Sequence, residues 1–179
     1  MVTGVTDQLG TRSTPNAVQS LFSFPNPVNE LAARTVAGMV VALSLAIVLT
    51  DQSWLVWVLA YGFLARVATG PTLSPMGQLA TRVLVPLFGS PSSPVPGPPK
   101  RFAQFVGLFF STTAALLFFA ADSPVAAKAV LGALTAFAAL EAFVGFCAGC
   151  FVFGYLMRWR LIPESICRDC VVQAQPAIE

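Results

Sequence analysis

Residues 102–121 read FAQFVGLFFSTTAALLFFAA, a stretch with no charge whose only polar side chains are Gln104, Ser111, Thr112 and Thr113. As a helix it would rise about 30 Å, the thickness of the hydrocarbon layer of a bilayer. Lys100-Arg101 precedes it and Asp122-Ser123-Pro124 follows it, so a basic start and a turn frame a membrane-spanning helix. Three more such segments are expected around it. Leu31 to Thr50 carries only Arg34, and Trp54 to Gly70 only Arg66, with Asp51-Gln52-Ser53 as the short loop between them. Lys128 to Arg158 encloses a long apolar run interrupted by Glu141. The spans are placed at about 31–50, 54–70, 102–121 and 128–157. The last is about 43 Å long if unbroken, so it must tilt or protrude.

Composition agrees. Apolar side chains make up 56% of the chain and charged ones 10%, with a mean hydropathy of +0.75, more than a soluble domain of this size keeps in solution. The partner this implies is the lipid bilayer. A net charge of +2 without a basic cluster argues against nucleic acid. The absence of histidine removes Ser-His-Asp and Cys-His catalysis, HExxH zinc proteases and histidine-ligated haem.

The expected fold is all-α: a polytopic membrane protein with four transmembrane helices and an amphipathic helix on the cytoplasmic surface. That surface helix falls within Ser74 to Phe88, where Gln78, Thr81 and Arg82 alternate with Leu79, Val83 and Leu87. Residues 1–23 read as a polar tail with no signal-peptide pattern, 24–170 as the membrane domain and 171–179 as a C-terminal tail. Asn29 or Asn26 is placed to cap the first helix near Glu30. Gly89 to Pro99, rich in proline and serine, reads as a stiff linker.

Orientation follows from the basic residues. Arg12, Arg34, Arg66, Arg82, Lys100, Arg101, Arg158, Arg160 and Arg168 fall on the side of the termini and the middle loop, and Lys128 alone falls opposite. The positive-inside rule then puts both termini in the cytoplasm.

The four cysteines form two CxxC pairs, Cys147/Cys150 and Cys167/Cys170. Such pairs suit two chemistries. As thiolates they hold zinc or an iron-sulfur cluster; as dithiols they exchange electrons or sulfane sulfur through a mixed disulfide. Arg158, Arg160 and Arg168 favour thiolate nearby, while Asp169 opposes it. Cys147 and Cys150, inside the apolar run, also suit simple packing. Glu141, a carboxylate within a span, is either a proton relay or a structural group; helical spacing points it away from both Cys147 and Cys150, which favours a partner for Arg66 or a hydrogen-bonding anchor in the bundle. Arg66 and Arg101 join it as structural polar residues.

Several separated strings carry a resemblance: Phe63-Leu64-Ala65-Arg66, Ser74-Pro75, Pro99-Lys100-Arg101-Phe102-Ala103, Leu140-Glu141-Ala142 with Gly145-Phe146-Cys147-Ala148-Gly149-Cys150, and Ile162-Pro163-Glu164-Ser165. In order and spacing, from about Phe24 to Cys170, the chain resembles the bacterial membrane family called domain of unknown function 4395. The resemblance implies a small multi-spanning protein of the bacterial inner (plasma) membrane, without an established reaction, found beside thioredoxin-like or rhodanese-type sulfurtransferase proteins. The expected function is membrane-embedded thiol-redox or sulfur handling by Cys147, Cys150, Cys167 and Cys170 with such a soluble partner, quinone being one acceptor for the electrons. The alternatives are a non-enzymatic four-cysteine zinc or iron-sulfur site built from the same residues, and a small sulfur-anion transporter using Arg66, Arg82 and Arg101.

Overall fold

Asn29 sets the start of the first helix: its side-chain oxygen accepts a hydrogen bond from the Leu31 N–H at 2.9 Å, and Glu30 follows in the first turn, where a carboxylate complements the helix dipole. In the computed structural model, which describes residues 26–87, 89 and 94–161, this helix, α1, spans Glu30–Thr50 and ends at Asp51 in the left-handed conformation. A tight turn leads into α2 (Leu55–Thr69), which returns antiparallel and stops at Gly70. The helical stretch expected after Ser74 is present as α3 (Pro75–Leu79), a π-helical turn (Ala80–Leu84) and α4 (Val85–Leu87), with the Ser74 hydroxyl capping the Gly77 N–H.

The third long helix begins earlier than the linker reading of residues 89–99 implies. α5 spans Gly97–Phe119 and takes Pro98 and Pro99 into its first turn. A helix needs no N–H donors there, and proline's fixed φ is already helical, so the two prolines start the helix instead of keeping it open. A short antiparallel pairing of β1 (Val28–Asn29) with β2 (Pro94–Val95), and the Gly97 N–H donating to Asn26 at 3.0 Å, tie the starts of α1 and α5 to one end of the bundle. Lys100 thereby becomes a buried helical residue.

The expected single helix over 128–157 is instead two. α6 (Pro124–Ala139) continues through a π-helical turn (Leu140–Val144) and ends at Gly145, whose φ of 78° lies where a Cβ is unfavourable; α7 (Ala148–Arg158) starts afresh. Carbonyls released by the break are met from another helix: Arg34 Nε donates to the Ala142 carbonyl at 3.2 Å and Arg34 Nη2 to the Phe143 carbonyl at 3.0 Å. Arg34 thus faces protein, and the bond spans the bundle from α1 to the end of α6.

α5 is the central helix and packs against α2, α6 and α7, while α1 packs on α6. The core is formed by Val40 and Ile47 of α1, Val56, Leu59 and Phe63 of α2, Ala114 and Ala115 of α5, and Leu131, Leu134 and Ala138 of α6. Outward, large apolar side chains such as Leu49, Phe109, Phe119 and Phe143 stand exposed. Three helices, Glu30–Thr50, Gly97–Phe119 and Pro124–Val144, are long and apolar enough to cross a membrane; α2 and α7 are shorter apolar helices. These are the features of a membrane protein, in which lipid covers a surface that water could not.

Candidate functional site

The start of α1, the end of α2, the start of α5 and the end of α6 meet at one end of the bundle, and the break at Gly145 delivers a CxxC pair to that junction. Past Gly145 the chain turns extended, so Cys147 is the N-cap of α7 rather than a mid-helix residue. Its Sγ accepts the Cys150 N–H at 3.3 Å. Cys147 is buried and Cys150 half-buried, and both are free thiols. Gly149, between them, lies so close to α5 that a Cβ there would sit 2.7 Å from Ala103 Cα. The pair is therefore wedged against the first turns of α5, where the rings of Phe102 and Phe153 also meet at 5.7 Å.

Beside the thiols lies an ion pair. Lys100 Nζ and Glu141 Oε1 are 2.8 Å apart, with side-chain exposures of 10% and 14%. Both groups stand within electrostatic reach of Cys147 and Cys150. This corrects the expectation for Glu141 twice. Its partner is Lys100 and not Arg66, and the chain break, which makes helical spacing across residues 141–150 meaningless, brings it to the thiols instead of away from them.

Arg66 holds a second polar cluster one layer deeper. Its Nε donates to Gln104 Oε1 at 2.7 Å and its Nη1 to Ser74 Oγ at 3.4 Å, while the guanidinium lies 4.6 Å from the centre of the Phe63 ring. The residue is 4% exposed, and its Nη2 has no hydrogen-bond partner among the described residues. Arg101, by contrast, points to the outer side of the bundle, its Nε donating to the Val67 carbonyl at 3.0 Å.

A cavity of about 320 Å³ joins these features. Phe102, Phe110 and Phe137 supply aromatic wall, and Gln104, Glu141 and Cys147 supply its polar points. Among the described residues no three of Cys, Asp and Glu converge as a metal-binding group. Cys167 and Cys170, the other half of the expected four-thiolate set, lie outside the described residues, as do Arg168, Asp169 and both tails.

Sequence reasoning passed over Lys100 and Gln104 as site residues. A signal was present: Lys100, Gln104, Gly107 and Ser111 recur at helical spacing and make one polar or small stripe along α5. It is easily missed because Lys100 stands just ahead of the apolar run at 102–121, where a basic residue reads as a topology signal.

A family model described as "Domain of unknown function (DUF4395)" matches residues 28–158. The chain belongs to the DUF4395 family. No curated protein and no solved structure matches it. The DUF4395 match begins at β1 and ends with α7, a narrower range than the 24–170 expected from the sequence. Arg66, Lys100, Glu141, Cys147 and Cys150 lie within it, whereas Ile162-Pro163-Glu164-Ser165, Cys167 and Cys170 fall beyond it.

Proposed function

We propose that this DUF4395 protein is a membrane-embedded thiol oxidoreductase whose working pair is Cys147 and Cys150, exchanging disulfides with a soluble thioredoxin-like or sulfurtransferase partner. The observation that carries the reading is Cys147 as N-cap of α7. A cysteine at a helix N-terminus receives backbone N–H groups that stabilise a thiolate, and CxxC at that position supplies a resolving neighbour one turn away. A buried cysteine that merely packs needs neither the N-cap nor the second sulfur.

The chemistry follows from unequal exposure. A partner thiolate attacks the half-buried Cys150 Sγ of the oxidised pair; the S–S bond breaks and Cys147 leaves as thiolate, held by the Cys150 N–H. The partner's second thiolate then attacks the mixed disulfide, Cys150 leaves, and two electrons have passed from partner to membrane pair. Cys167 and Cys170, outside the described residues, serve in this reading as an accessory pair.

The membrane arrangement in this reading is four crossings in a bacterial inner membrane, α2 being the short one. Fifteen residues give α2 about 22 Å of rise. Burial of Arg66 in protein lets its end sit below the headgroups without exposing charge to lipid. α6 completes its crossing at Val144, so the thiols lie at the end of the bundle, which the basic residues assign to the cytoplasm. Along α7 and at its C-cap, the edge-to-face rings of Phe151, Tyr155 and Trp159 suit the interface. The α3–α4 stretch, with Leu79, Val83 and Leu87 exposed, lies on the same surface.

The test is trapping. In a background with Cys167 and Cys170 changed to serine, Cys147→Ser leaves Cys150 without its resolving partner. Offered a thioredoxin that lacks its own resolving cysteine as its mixed disulfide with thionitrobenzoate, Cys150 should displace thionitrobenzoate and hold the thioredoxin in an adduct released by dithiothreitol. An adduct absent from both Cys147→Ser and Cys150→Ser proteins, with normal assembly, would count against the reading.

A further inference from the structure

We infer that the cavity at the junction of α1, α2, α5, α6 and α7 is a quinone site, in which a quinone ring takes the two electrons of the Cys147/Cys150 dithiol. The inference rests on the thiol reading above and names its acceptor. Three observations select this ligand class. Phe137 and Val152, 45% and 47% exposed, line the cavity and belong to the outward apolar surface, so entry is from the lipid and favours a lipid-soluble molecule. The volume, about 320 Å³, lies at the lower end of the range for ligand cavities, and the walls of Phe102, Phe110 and Phe137 suit a flat ring.

The polar points distinguish a carbonyl-bearing ring from an acyl chain. Arginine only donates hydrogen bonds, so the 2.7 Å contact with Arg66 fixes Gln104 with Oε1 toward the guanidinium. The Gln104 amide N–H groups are left over, with no hydrogen bond from Nε2 among the described residues, on a residue that lines the cavity. A quinone oxygen is the acceptor they lack. Cys147, the buried sulfur, lines the same cavity and is the electron donor. The step balances: two S–H bonds break, one S–S bond forms between Cys147 and Cys150, and the quinone gains two electrons and two protons to become a quinol.

The experiment uses the full chain in phospholipid nanodiscs with decyl-ubiquinone as probe. Binding should saturate in the wild type and, unchanged, in the Cys147→Ser/Cys150→Ser protein, since it does not need the sulfurs. Val152→Trp, at the cavity edge, and Ala138→Phe, deeper in, should each weaken it by about tenfold or more by filling the space. Gln104→Leu should weaken it about fivefold, the loss of one hydrogen bond. The filled-cavity variants should still form the thioredoxin adduct. On anaerobic mixing, the reduced protein with Cys167 and Cys170 changed to serine should yield one quinol per two thiols lost. Unsaturable partition, equal in wild type and Val152→Trp, would mean that acyl chain fills the cavity and would overturn the inference while leaving the adduct intact. Saturable binding with no thiol loss would overturn the electron transfer; in that case an absent adduct would show that the thiol reading had failed too.

Discussion

Lys100→Met should be among the most damaging single substitutions in this protein, and Glu141→Leu should largely repair it. The two side chains form a 2.8 Å ion pair at 10% and 14% exposure, so removing the ammonium strands a largely buried carboxylate in the bundle. Breaking a buried pair from one side costs about 3–5 kcal/mol. At 3 kcal/mol the folding equilibrium falls by about 150-fold, since ~1.4 kcal/mol is one decade. Glu141→Leu alone should cost a similar amount, because it strands the lysine. Glu141→Gln should cost about 1 kcal/mol, because the amide oxygen still accepts from Lys100. The double variant replaces the pair by apolar side chains and should come within about 1 kcal/mol of wild type. The assay is reversible unfolding in mixed detergent micelles by added dodecyl sulfate, followed by far-ultraviolet circular dichroism, for the four corners of the cycle. Additive costs in the double variant would refute the pairing. Coupling of Glu141→Leu with Arg66→Met in place of Lys100→Met would restore Arg66 as the partner.

The other predictions concern the break and the membrane arrangement. Gly149→Ala should destabilise by about 1–3 kcal/mol because the new methyl meets the α5 backbone at Ala103, whereas Gly154→Ala, with nothing within 4 Å, should be neutral or stabilising by up to about 1 kcal/mol; the same unfolding assay compares them. Arg34→Gln removes the donors from the Ala142 and Phe143 carbonyls, and Cys147 should then react faster with a small maleimide. A reporter fused after Glu179 should be active only in a form that works in the cytoplasm; activity of a periplasmic reporter at that point would invert the arrangement.

How far the fold was legible in the chain can be seen element by element. The apolar runs at 31–50 and 102–121 announce α1 and α5 because hydropathy over a membrane thickness is a strong one-dimensional signal, and Asn29 announces its own cap. The start of α5 is hidden by Pro98 and Pro99, which break a helix interior but begin one readily; α5 begins at Gly97, five residues before the expected span at 102, and this puts Lys100 inside the helix and in a buried ion pair. The break at Gly145 was hidden because Gly145-Phe146-Cys147 is as apolar as its surroundings, and hydropathy carries no information about a positive φ. That concealed turn is what makes Cys147 an N-cap. The same turn undoes the helical-spacing argument for Glu141, whose angle to the thiols holds only on a helix that does not continue. A glycine closely followed by CxxC was the available clue, since a C-terminal glycine and a new N-cap often stand side by side where one helix hands over to another. The cavity, assembled from five helices, has no sequence signature at all.

The central claim is that Cys147 and Cys150 act as one redox unit at the start of α7. It is tested most directly by equilibrating the folded protein, with Cys167 and Cys170 changed to serine, across a series of glutathione redox buffers and counting free thiols after acid quench. The account expects both thiols to disappear together in a single two-electron transition, reversible on return to reducing buffer, and expects that transition to be absent when either Cys147 or Cys150 is also changed to serine and one thiol remains. Two thiols that stay reduced across the whole series until the protein is denatured would contradict it, and would leave Cys147 as a packed sulfur that happens to cap a helix.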